Sequence, residues 1–115
     1  MADYFVKTTG NDANNGTTWA LAKATVQAGT NLCTTAGDRC VVAPGRYMEK
    51  AITPPAAGTR AAKKTLIGDY NGDIADGGAN YSGVTGYVIV DGSVFASGKP
   101  TTDAIFALHN NWAYW

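Results

Sequence analysis

The stretch GDYNGDIADGG places Asp69, Asn71 and Asp73 at alternate positions, with Asp76 close behind. Carboxylate and amide oxygens in this D-x-N-x-D pattern converge on hard cations such as calcium. The loop is not an EF-hand. Position six is Ile74 where the sharp turn needs glycine, and position twelve is Asn80 where a bidentate glutamate would close the site. A looser calcium site on Asp69, Asn71 and Asp73 stands against the default reading, a solvated inter-strand loop. A second polar stretch, TTGNDANNGTTW, sets Asp12, Asn14 and Gly16 at similar spacing. It has one carboxylate among these three and no acidic residue at the closing position. Asn and Asp build Asx turns and accept left-handed backbone without any metal, so this stretch reads as a bend.

Residues able to move protons are scattered. Asp91 ends the run VIVDG and reads as an Asp-Gly turn, Lys63 and Lys64 precede a strand as a solvated edge, and His109 stands alone beside two asparagines. No nucleophile–base triad, phosphate loop or zinc spacing is present, and no catalytic residue is assigned. Tyr47, Tyr70, Tyr81 and Trp112 are candidates for stacking on sugar rings, against the alternative that they pack on neighbouring strands or subunits. Cys33 and Cys40 fit neither a CxxC redox motif nor a metal knuckle, and two readings stay open. Either both are small core residues, or they form a disulfide closing a short loop.

The elements that would position these residues follow from composition and periodicity. A chain of 115 residues is one domain, and nine basic residues balance nine acidic ones, so no global field draws it to nucleic acid or membrane. No apolar run approaches the roughly 20 residues of a membrane span. No signal peptide precedes the first strand-like run, Tyr4–Lys7, so the chain is expected to use no signal-peptide route unless a leader has been removed. A short helix is predicted after Thr25 as N-cap, with Val26, Gly29, Thr30 and Cys33 on one face. Beyond Asp38, β-branched runs centred near Val41, Ile67, Ile89 and Phe106 recur about every twenty residues, each ended by Gly, Asp or Pro. Tight two-residue hairpin turns between paired runs are lacking, which favours parallel strands.

Gly10, Asp12, Asn14, Gly16, Trp19, Ala24, Thr25, Gln27, Gly37, Asp38, Val42, Ala43, Pro44, Gly45 and Tyr47 follow a recognisable order. An aromatic strand leads to TGxDxNxG, a tryptophan, an ATxQ helix and GDxVxVAPGxY. Over about residues 4–47 the chain resembles the N-terminal beginning of right-handed parallel β-helix proteins of the pectate-lyase-like superfamily, and more loosely so from Thr65 to Leu108. Among these it looks most like phage-borne members in tail spikes, fibres and other virion proteins. The resemblance implies an all-β fold, a right-handed parallel β-helix (solenoid) with a short N-terminal capping helix. Residues 1–38 would form the first strand, the Asn/Gly loop and the cap. Residues 39–115 would form the first coils of the solenoid, incomplete at the C-terminus.

Within that superfamily, lyases abstract a proton with a basic residue aided by calcium on aspartates, and hydrolases use paired carboxylates. Both build their sites on middle coils. The expectation is therefore a structural virion module, virion-borne or otherwise extracellular, that touches host surface polysaccharide and needs no cofactor beyond a possible calcium. Alternatives are the first part of a polysaccharide lyase or glycoside hydrolase, and a non-catalytic sugar-binding module. The expected partners are other virion proteins or further copies of the chain, as in a homotrimer. Association would use the face bearing Phe106, Leu108, Trp112 and Trp115, unless further coils continue the chain.

Overall fold

The computed structural model describes residues 2–49, 64–78, 80–91, 106–108 and 113–114. Among the described residues, seven short strands form two sheets, and one helix packs against the first. The first has the order β1 (Asp3–Val6), β2 (Arg39–Val42), β4 (Thr65–Gly68), β7 (Ala113–Tyr114), and the second the order β3 (Gly45–Met48), β5 (Val88–Asp91), β6 (Phe106–Leu108). β1, β2 and β4 run parallel and in register, with Val6 opposite Val42 and Val42 opposite Gly68. The register also sets Asp3 opposite Arg39, whose guanidinium donates to both carboxylate oxygens at 2.7 and 2.6 Å.

Strand alternation sorts the side chains of the first sheet onto two apolar faces. Val6, Cys40, Val42 and Leu66 point to one side, where they meet Val26 and Cys33 from the helical segment and Tyr47, Val88 and Val90 from the second sheet. Phe5 and Val41 point to the other side and meet Trp19, Ala22 and Ala43. A sheet buried on both faces explains why RCVV is continuously apolar after Arg39 instead of alternating.

The helix α1 (Val26–Leu32) begins where Thr25 accepts the Ala28 N–H at 3.2 Å. Seven residues are too few to hold a helix on propensity alone, so packing holds this one. It lies so close to β1 that a Cβ on Gly29 would stand 2.2 Å from Val6 Cγ2 and 2.9 Å from Cys40 Sγ. Its first orphan donors are met by Glu49, whose carboxylate accepts from Val26 N at 2.7 Å and Gln27 N at 3.0 Å.

The outer edge of β1 is not bare. Phe5 N donates to Gly16 O, Lys23 N to Phe5 O, and Lys7 N to Lys23 O, so the Asn/Gly loop and the segment after it are stitched along that edge. Asp12 anchors the same loop to the helix start, accepting from Ala24 N, Thr25 N and Thr25 Oγ1. The loop is a bend with an edge-covering role.

The solenoid expectation is corrected here. A parallel β-helix stacks each strand on the equivalent strand of the previous coil. In this chain the third sequence period falls on a different sheet: Val41 and Ile67 belong to the first sheet, Ile89 and Phe106 to the second. β6 and β7 run antiparallel to their neighbours, so each parallel run is closed by a reversed strand. Among the described residues the fold is two short, largely parallel sheets with a single helix. Residues 2–38 also share one core with the strands that follow, because β1 pairs with β2 and α1 packs on both.

Candidate functional site

The carboxylates show first what the chain does not leave available for chemistry. Asp38 accepts from Ala2 N at 2.9 Å and Thr35 N at 3.0 Å. Asp76 accepts from Trp19 N at 3.0 Å and Gly78 N at 3.2 Å, and the Trp19 N–H above all holds its carboxyl below the usual range. With Asp3, Asp12 and Glu49 described above, and Asp69 below, six of the nine acidic residues act as staples between segments or within turns.

The calcium reading depends on Asp69, Asn71 and Asp73 aiming oxygens at one point. They do not. Asp69 is fully buried, and its Oδ1 accepts from Asp73 N at 3.0 Å and Ile74 N at 3.3 Å within its own turn. Burial, as the larger effect, raises its pKa, partly offset by these N–H donors. Asn71 and Asp73 stay exposed on the turn. No group of three or more His, Cys, Asp or Glu gathers among the described residues.

Both cysteines are free and buried. Burial, then the Asp38 carboxylate, pushes the Cys33 thiol up to about 12, against a smaller downward pull from Lys64. Burial also drives Cys40 well above the ordinary thiol value. Lys64, expected at a solvated edge, is buried at the start of β4. Neither thiol is a nucleophile near neutral pH. Iodoacetamide at pH 8 is expected to leave both cysteines unmodified in the native chain and to label both in guanidinium, read by intact mass. Labelling of the native chain at the rate of a free thiol would contradict the packing around Gly29.

The sugar-stacking candidates separate clearly. Tyr47 is 3% exposed, lies in the main apolar cluster and donates its hydroxyl to Ala43 O at 2.7 Å, so it offers no ring face to solvent. Tyr81 is 53% exposed. Tyr70 pairs with Tyr87, which sequence reasoning did not single out, at 5.3 Å between centroids and 68° between planes. Tyr87 is 51% exposed and Val84, three residues earlier, is 44% exposed. Trp112, His109 and Lys63 lie outside the described residues, as does the Asp91 side chain.

This aromatic surface is built by two loops locked together. Gly72 N donates to Asp69 O at 3.0 Å, and Gly86 N to Tyr70 O at 2.9 Å. Gly72 adopts φ 66°, and a Cβ there would meet Val84 O at 2.4 Å, so only glycine lets the two loops close. Gly45 N donates to Tyr87 O at 3.0 Å, which fixes Tyr87 at the start of β5 beside β3. The outward positions of these strands continue the surface with exposed Arg46 and Met48 and half-buried Ile89. A signal for Tyr87 existed in YVIV: alternation places Tyr87 with Ile89, opposite Val88 and Val90, although it does not say which side faces water.

No helix among the described residues is long and apolar enough to cross a membrane. No protein-family model matches the chain, and no curated protein or solved structure matches it.

Proposed function

We propose that this chain is a non-enzymatic structural module that contacts carbohydrate through the Tyr70–Tyr87 face, as part of a virion protein meeting host surface polysaccharide. The observation that carries the reading is the ring pair itself. Two tyrosines are held edge to face at the surface, with Tyr81 and Val84 exposed on the same loops. Tyrosine is amphipathic, so a water-facing ring suits a ligand that has both C–H faces and hydroxyls. The engagement of Asp3, Asp12, Asp38, Glu49, Asp69 and Asp76 as structural acceptors favours a scaffold over a hydrolase with paired carboxylates. The virion setting draws its support from the opening MADYFVKTTGNDANNG, which resembles phage-borne members of that superfamily, and the partners in this reading are other virion proteins or further copies of the chain.

Calorimetric titration with bacterial surface polysaccharides tests it. The 115-residue chain is expected to bind at least one without releasing product, and Tyr87→Ala to weaken binding about tenfold or more, about 1.4 kcal/mol. Equal affinity of Tyr87→Ala and wild type, or no binding to any polysaccharide, would remove the basis of the proposal.

A further inference from the structure

Resting on that reading, we propose that Asn71 and Asp73 form the polar half of the carbohydrate site and select sugars carrying free vicinal hydroxyls. The D-x-N-x-D stretch is divided by the fold. Asp69 turns inward to the backbone N–H groups of Asp73 and Ile74, and this leaves Asn71 and Asp73 exposed on the rim of the same turn. Tyr70 sits between Asp69 and Asn71 and carries the ring that meets Tyr87. Gly72, between the two polar residues, closes onto Val84. The turn therefore carries an exposed amide and an exposed carboxylate on either side of Gly72, next in sequence to the ring of Tyr70.

That combination identifies its ligand by chemistry. A carboxylate accepts hydroxyl protons through short charge-assisted bonds, and an amide both donates and accepts, so the pair answers two adjacent hydroxyls. The C–H face of the same pyranose then lies on the tyrosines. A protein partner is the poorer match, because the centre of a protein interface is depleted in aspartate, whereas here Asn71, Asp73 and Asn80 are interleaved with Tyr70, Tyr81 and Val84. A cation is the poorer match because Asp69 points away.

The experiment titrates the chain with dextran, mannan and galactan, each intact and after periodate cleavage of vicinal diols, in buffer with chelator and again with excess calcium. Asn71→Ala and Asp73→Ala are measured beside wild type and Tyr87→Ala, with the melting temperature of each. Wild type is expected to bind an intact polymer and lose at least tenfold after periodate. Each rim variant should weaken binding about tenfold with an unchanged melting temperature, and chelator should have no effect. Rim variants that bind like wild type while Tyr87→Ala does not, or indifference to periodate, or a requirement for calcium, would overturn this inference and leave the module's carbohydrate contact standing. No binding of wild type to any of these polymers would overturn this inference, and no binding to the bacterial surface polysaccharides either would overturn both.

Discussion

Replacing Trp19 with alanine should remove about half of the stability of this chain. The indole is 2% exposed and packs on Phe5 with ring centroids 4.8 Å apart. Its Nε1–H donates to Ile74 O at 2.9 Å, and its backbone N–H donates to Asp76 at 3.0 Å. Large-to-small changes at buried aromatic sites cost roughly 3–5 kcal/mol, against about 5–15 kcal/mol for the total stability of a small domain. Trp19 is also the bolt between the N-terminal loop and the 74–76 segment, so its loss frees a second region. Urea unfolding followed by circular dichroism should show the midpoint falling by about half. Trp19→Phe keeps a ring but orphans Ile74 O, and should lie between alanine and wild type. A Trp19→Ala midpoint within experimental error of wild type would mean that the second apolar face contributes little.

Gly29→Ala is the second large effect, and its sign is the informative part. In an exposed helix interior this change stabilises by about 1 kcal/mol. Here the added methyl would stand 2.2 Å from Val6 Cγ2 and 2.9 Å from Cys40 Sγ, between a helix and a sheet that are both backed by other elements. Overpacking of this kind costs about 1–3 kcal/mol. The expected outcome is a melting temperature lower by about 4–12 °C, using roughly 4 °C per kcal/mol for a domain of this size. Val6→Ala should recover part of the loss in the double variant, because it vacates the position that the new methyl claims. A melting temperature raised by Gly29→Ala would show that α1 stands further from β1 than described.

The parts of this fold that were legible in the sequence are the local ones. Thr25 followed by Val26, Gly29, Thr30 and Cys33 contains the start and buried face of α1, because both depend on residues within two turns of each other. The Asx character of TTGNDANNG is likewise local, and Asn11 and Asn15 accept from the N–H groups of Ala13 and Thr17 as such turns require. Strand direction was only partly legible. Parallel pairing of β1, β2 and β4 follows from the missing hairpin turns, but the reversal of β6 and β7 depends on contacts across the whole chain. Equal spacing of apolar runs was therefore a poor guide, since a period in sequence does not say which sheet each run joins.

At the candidate site the misplacement of Tyr47 has a simple cause. In GRYM, the exposed Arg46 and Met48 fix the phase of the strand and send Tyr47 inward, so the charged neighbour held the information. Asp69 could not be separated from Asn71 and Asp73 by spacing, because burial of one acid in its own turn depends on what packs behind it. The Tyr70–Tyr87 pairing was invisible for the same reason: the rings meet only after Gly72 and Gly86 have closed the two loops.

The covering of β1 by residues 16–23 has a consequence for the order of events during synthesis. The strand, its covering loop, the helix and β2 all fall within residues 3–42, so the ribosome delivers this unit before β4 exists. Domains and subdomains tend to fold in the order they emerge. One edge of the nascent two-stranded sheet is already sealed by local hydrogen bonds, and only β2 offers unpaired groups. Growth of the sheet is then vectorial: β4 has a single docking lane, and a second nascent chain finds just that lane to compete for. An inserted segment that loosens the 16–23 seal would open a second lane, and it should be detected as slower refolding and greater loss to aggregates at high chain concentration, even where the native state is unchanged.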